Sequence, residues 1–135
     1  MMKLRVKSTI ENVDLLTEFV NEQLEGMDCS TRAMTQIDIA LDELFSNICN
    51  YAYGGKIGHV TVYVEELEDE GAVRITLEDE GIPFDPLSHE DPDISLGLKD
   101  RTIGGLGIFM VKRTMDDVSY EYKDGLNMLT VVKAL

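Results

Sequence analysis

One long helical pattern, running from Ser30 to the Gly54-Gly55 pair, sets the terms for the whole chain. Its apolar positions Ile37, Leu41, Leu44 and Ile48 fall within about 60° of one another at the helical period. A stripe that narrow holds a helix in place only when a second layer covers it. The flanking sequence offers strands for that layer. Val60-Thr61-Val62-Tyr63-Val64 and Ala72-Val73-Arg74-Ile75-Thr76-Leu77 are rich in β-branched residues, and the acidic run Glu65-Glu66-Leu67-Glu68-Asp69-Glu70 between them reads as a solvated hairpin turn.

The remaining segments fit the same scheme. Lys3 to Lys7 alternates charged and apolar residues, the period of a half-buried strand. Ser8 followed by Glu11 has the form of a capping box, opening a helix with Val13, Leu16, Phe19, Val20 and Leu24 inward and Gly26 as its stop. A third helix is predicted from about Gly105 to Met115, with Ile108, Phe109, Val111 and Met115 as core positions. Val118 to Tyr122 and Leu126 to Lys133 read as closing strands turned at Asp124-Gly125. The expected fold is α+β: a two-layer α/β sandwich whose mixed, mostly antiparallel sheet carries its helices on one face.

Size and charge narrow the function. At 135 residues and 15.1 kDa, residues 1–135 are expected to form one domain, and 44% hydrophobic content is enough for a real core. No apolar run reaches membrane-spanning length, and Met1-Met2-Lys3-Leu4-Arg5 lacks the apolar stretch of a signal peptide. Cys29 and Cys49 have no metal-type spacing, which fits packing cysteines in a reduced, cytoplasmic chain. His59 and His89 likewise lack spaced partners and read as surface residues. Against 12 basic residues stand 26 acidic ones, a net charge of −14. That field repels nucleic acids and anionic membranes, so a partner should present a basic or apolar surface.

Within the long helix, Glu43 and Asn47 sit roughly 80–120° to one side of the apolar stripe and one turn apart. A pair on that border suits the wall of a cleft, although two polar residues on an exposed face would look the same. Asp79-Glu80-Gly81 follows the second strand, where a carboxylate can accept a hydrogen bond from an exocyclic amine and glycine lets backbone come close. Such a carboxylate favours adenine over guanine, but the same residues also build ordinary turns. Gly104-Gly105-Leu106-Gly107 leads directly into the third helix, exposing N–H groups where the helix dipole favours anions. No Gly-Lys-Ser/Thr follows, so this is not a P-loop. Residues 79–103 hold all three prolines and read as a long functional loop.

Taken in order, the Glu/Asn helix, the Asp-x-Gly turn and the Gly-x-Gly turn resemble the GHKL ATPase superfamily over most of the chain. Within it the sequence most resembles the small anti-sigma factor serine kinases. The resemblance implies that ATP and Mg2+ are bound, with Glu43 as general base and Asn47 as magnesium ligand. It assigns Asp79 and Gly81 to the adenine, Gly105, Leu106 and Gly107 to the phosphates, and Thr130, in Leu129-Thr130-Val131, to the late-strand threonine near the base. Ala52-Tyr53 matches the end of the family's helix motif. Tyr51 stands where these kinases usually have His, and Pro83 stands where the broader superfamily often has a second Gly.

The partners implied are a sigma factor and an anti-anti-sigma protein of the STAS type, with the kinase as a homodimer. A loop over 87–103 would close on the phosphates, and its Lys99 and Arg101 could reach a phosphate or a partner. Two other readings share the ATP site: a switch that sequesters a partner without phosphorylating it, and a detached histidine-kinase ATP-binding domain. Glu43 and the missing His-bearing helices oppose the last.

Overall fold

A computed structural model of the chain describes residues 1–88 and 105–135. Among these residues five strands form one sheet, β1 (Met2–Lys7), β2 (His59–Leu67), β3 (Ala72–Asp79), β4 (Asp117–Lys123) and β5 (Leu126–Ala134). Helices α1 (Val13–Glu25), α2 (Thr31–Tyr51) and α3 (Gly105–Thr114) complete the described elements. The sheet order is β1-β2-β3-β5-β4, and each of the four pairings is antiparallel.

The expected α+β sandwich is therefore found, and its sheet is antiparallel throughout where a mixed one was expected. The reason is topological. β3 and β4 run in the same direction around α3, but β5 inserts between them and pairs with both. The crossover thus leaves no parallel neighbours among the described strands.

Strand alternation decides which face meets the helices. Val60, Val62 and Val64 of β2 lie opposite Asp79, Leu77 and Ile75 of β3, and these lie opposite Asn127, Leu129 and Val131 of β5. All nine are buried, on the face that packs under Leu16, Val20 and Leu24 of α1 and Ile37, Leu41 and Phe45 of α2. Each large apolar side chain so buried contributes about 1.5–3 kcal/mol relative to exposure. Ile108, Val111 and Met115 bring α3 onto the same core, while Phe109 is half-buried with the Arg113 guanidinium 5.6 Å from its ring centre. Ile48 of the α2 stripe also stays half-buried, because it faces a cleft described below.

The helix boundaries follow local chemistry, with one correction. Ser30 caps α2 as expected, its Oγ accepting from the Ala33 N–H at 3.1 Å. Ser8 caps nothing. It is buried, with its Oγ accepting from the Gly58 N–H at 2.9 Å and its own N–H donating to the Gly58 carbonyl at 3.0 Å. A short 3-10 turn at Ile10–Asn12 intervenes before α1, whose N-cap Asn12 instead donates from its side chain to the Lys7 carbonyl. A long-range bond has taken the hydroxyl that a local cap would have used.

The Asp124-Gly125 turn is found, but of the acidic run only Glu68–Glu70 turns, because Glu65, Glu66 and Leu67 extend β2 in register with Arg74, Val73 and Ala72. Gly71, at φ 61°, closes the acidic hairpin after β2, and Asp124 and Gly125 take φ 56° and 80°, the paired left-handed geometry of a two-residue hairpin. Both cysteines are half-buried free thiols, and burial raises Cys49 to about 11. His59 is exposed on β2. Ser8→Ala should lower stability by about 1 kcal/mol, since it removes the acceptor of the half-buried Gly58 N–H, while Glu11→Ala should change it by less than about 0.5 kcal/mol. Urea unfolding of the two variants checks the assignment, and equal losses would restore the capping box.

Candidate functional site

A cleft of about 430 Å³, its open mouth included, lies between the C-terminal half of α2 and the end of β3. Leu44, Ile48, Leu77 and Leu129 make its walls apolar, and Asp79, Asn127 and Asn47 supply the polar groups. Tyr51, Ile82 and Phe84 stand at the mouth, 49%, 60% and 38% exposed. The Tyr51 and Phe84 rings lie 6.0 Å apart between centres at a tilt of 32°. Tyr51 thus contributes an aromatic surface to the entrance.

Among the described residues, Asp79 is the one carboxylate that lines the cleft, and it is only 5% exposed. Burial pushes its carboxyl above the usual range, an effect opposed by hydrogen bonds from Asn127 and from the Gly81 N–H. Both bonds fall on Oδ1, at 2.9 Å from Asn127 Nδ2 and 2.8 Å from Gly81 N. Among the described residues Oδ2 has no hydrogen-bond partner, which leaves it available to a donor on a ligand.

The turn after Asp79 is fastened to the end of α2. The Ile82 N–H donates to the Ala52 carbonyl at 2.8 Å, and a Cβ on Gly81 would overlap that same carbonyl. Gly81 is needed for this approach of backbone to helix end. Tyr53 adds a second tie. Its hydroxyl accepts from the Glu80 N–H at 2.9 Å and donates to the His59 carbonyl at 2.5 Å.

Asn47 lines the cleft on α2, one helical turn from Glu43. Glu43 is half-buried, and its carboxyl is raised first by that burial and then by neighbouring Asp42, with the Asn47 side chain acting against both. α3 reaches the pair from the other side. A Cβ at Gly107, in the first turn of α3, would overlap the Glu43 carboxylate. The structure therefore brings Asp79, Gly81, Asn47, Glu43 and Gly107 along one side of α2, ordered from its C-terminal end backwards.

Gly105 opens α3 and Leu106 follows it in the helix. Gly104, Lys99, Arg101 and His89 lie outside the described residues, as does most of the 87–103 loop. Thr130 is a correction. It faces away from the cleft, on the far side of the sheet, with its hydroxyl 3.1 Å from that of Thr76. Strand parity explains it, because Asn127, Leu129 and Val131 take the helix-facing positions of β5 and Thr130 falls between two of them.

Sequence reasoning did not find Asn127, which the register sets directly opposite Asp79. A lone Asn in a closing strand has no motif, and only the pairing reveals it. Among the described residues no group of three or more His, Cys, Asp or Glu is placed to hold a metal ion.

This combination of an antiparallel sheet, a helix bearing a polar pair and a buried carboxylate at a glycine turn is that of an ATPase domain. The chain belongs to the histidine kinase-like ATPase domain family, whose model matches residues 6–133. It is 30% identical to serine-protein kinase RsbW of Listeria monocytogenes over 105 residues, 74% of this chain and 66% of that protein. It is 27% identical to serine-protein kinase RsbW of Staphylococcus aureus over 136 residues, 94% of this chain and 82% of that one. Among solved structures, the RsbU and RsbW domains of a Mycobacterium tuberculosis protein share the fold, with a TM-score of 0.67 at 17% identity, covering 100% of this chain and 33% of that chain.

Because burial raises Asp79, the native state holds its proton more tightly than the unfolded chain does. Stability then falls as pH climbs from the ordinary carboxylate value through the raised one, and the ionised group remains a burden at pH 7. Asp79→Asn should accordingly melt at or above the wild-type temperature at pH 7. It should also lose at least about tenfold in affinity for ADP, since an amide cannot replace the charged acceptor. Calorimetry of both proteins tests the two effects together, and unchanged ADP affinity would end the assignment.

Proposed function

We propose that this chain is an ATP-dependent serine protein kinase acting as an anti-sigma factor. In this reading it binds a sigma factor and phosphorylates a serine of an anti-anti-sigma protein of the STAS type. It works as a homodimer in the cytoplasm, with residues 1–135 forming one ATP-binding domain. The observation that carries the proposal is the alignment of Asp79, Asn47, Glu43 and Gly107 along α2. The order matches a nucleotide laid base-first into the cleft with its phosphates toward α3. The names of the Listeria and Staphylococcus relatives support serine as the acceptor.

Each group has a role in this scheme. Asp79 Oδ2 accepts from the exocyclic amine of the base, and the apolar walls cover its faces. Asn47 offers a neutral oxygen to a magnesium ion, which would draw its other ligands from phosphate oxygens and water. The absence of an acidic cluster among the described residues fits an ion held mainly through the nucleotide. Bound there, the ion would neutralise charge on the transferring phosphoryl group. The opening turn of α3, with Gly105, Leu106 and Gly107, presents N–H groups at a helix N-terminus, where anions are favoured.

Glu43 takes the proton of the serine hydroxyl as that oxygen bonds to the γ-phosphorus, and the bond to the β–γ bridging oxygen breaks to release ADP. Its raised pKa helps, because a base works best when its pKa approaches the working pH. Gly107 has no side chain to push the carboxylate aside. Among the described residues no helix is long and apolar enough to cross a membrane, which is compatible with the proposed location. A nucleotide-dependent switch that holds its partner without phosphorylating it would use the same base pocket and leave Glu43 idle.

The test is transfer of label from ATP, with magnesium present, to serine of an anti-anti-sigma protein from the same genome. Glu43→Ala should bind ATP as the wild type does and transfer phosphate about 10²–10⁴-fold more slowly. Partner binding without any label would favour the switch. Removing magnesium should weaken ATP binding more in the wild type than in Asn47→Ala, read by calorimetry with and without a chelator. Equal losses would remove Asn47 from the metal.

A further inference from the structure

Asn127 is the most heavily engaged polar side chain at the cleft. It is 6% exposed, on β5, directly across the ladder from Asp79. Its Nδ2 reaches three acceptors: Asp79 Oδ1 at 2.9 Å, the Ile82 carbonyl at 2.9 Å and the Gly81 carbonyl at 3.3 Å. Its Oδ1 accepts from the Phe84 N–H at 3.3 Å and from the Tyr120 hydroxyl. The same hydroxyl lies 3.2 Å from the Phe84 nitrogen. Five groups from β3, β4 and the 81–84 turn therefore converge on one amide.

We propose that Asn127, held in orientation by Tyr120, is the positioning residue that sets the base specificity of this site. The inference rests on the reading of Asp79 as the acceptor for an exocyclic amine. The amide occupies Oδ1 with a donor, so the remaining oxygen, Oδ2, is the one presented to the ligand. It also ties the turn carrying Ile82 and Phe84 to the sheet, which fixes the mouth relative to the carboxylate.

Only an amide fits all of these partners. A carboxylate at 127 would repel Asp79 and meet two carbonyls, and an apolar residue would leave Asp79 Oδ1 with the Gly81 N–H alone. Tyr120 resolves the remaining ambiguity. An amide can turn end for end, and a donor hydroxyl on one side selects the orientation that points Nδ2 at Asp79.

The experiment compares ADP with purine riboside diphosphate, which differs by lacking the 6-amino group. The wild type should prefer ADP by about tenfold or more, the worth of one charge-assisted hydrogen bond. In Asn127→Leu, ADP affinity should drop to that of the analogue while the affinity for the analogue stays within about twofold. A purely structural role would weaken both nucleotides alike, and that result overturns the proposal. A wild-type-sized preference in Asn127→Leu overturns it as well.

If Asn127→Leu fails to fold, judged by its thermal melt, Tyr120→Phe carries the test. Its preference for ADP should fall by about twofold to tenfold, the worth of one neutral hydrogen bond, and an unchanged preference overturns the proposal. Failure of the underlying reading looks different. If the wild type binds both diphosphates equally, Asp79 does not read the base, and if it binds neither, the cleft is not a nucleotide site.

Discussion

The junction between the end of α2 and the turn after β3 governs this structure. Ala52 offers its carbonyl to the Ile82 N–H, and Gly81 has no Cβ to hold the two backbones apart. Tyr53 spans from the Glu80 N–H to the His59 carbonyl, so β2, β3 and the helix end are clamped at one point. Below it, the Tyr53 ring lies where a Cβ on Gly58 would be, and Gly58 is bonded in turn to buried Ser8. The distance from Asp79 to Asn47, and through it to Glu43, is a consequence of this junction. A shift of α2 along its axis would move both ends of the site together.

Two carboxyls in this region are held at a cost. Asp79 and Glu43 are both raised by burial, and in neither case do the opposing hydrogen bonds cancel the effect. No salt bridge compensates them: the ion pairs found among the described residues, Arg5–Glu80 and Arg74–Glu65, are on the surface and contribute little. A chain under selection for stability alone would have replaced these acids. Asp79 lines the cleft and Glu43 lies one turn of α2 from Asn47 in its wall, and carboxyls raised in this way cluster at functional sites.

Much of this was legible in the sequence, for reasons particular residues make clear. The α2 stripe, the Ser30 cap, the Asp124-Gly125 turn and the valines of β2 act through local periodicity or local backbone geometry. Their outcome needs no knowledge of distant residues. Glu43 and Asn47 were readable as a pair because one helical turn joins them. Ser8 failed because its hydroxyl answers to Gly58, 50 residues away. Thr130 failed by one position, since neighbouring residues on a strand face opposite ways and only the register shows which set is inward. Asn127 gains its role from Asp79, 48 residues earlier, so no local pattern could mark it.

The placement of β5 between β3 and β4 has a consequence for how such a domain can change. The two strands that carry Asp79 and Asn127, β3 and β5, are locked by a continuous ladder from Ala72–Ala134 to Asp79–Asn127. Among the described residues, the next strand after β3 is β4, on the outer edge of the sheet. The length of chain between β3 and β4 does not enter the geometry of that ladder. Insertions or deletions there leave the Asp79–Asn127 end of the cleft in shape, so under the proposed function recognition and transfer become separately adjustable parts of one small fold.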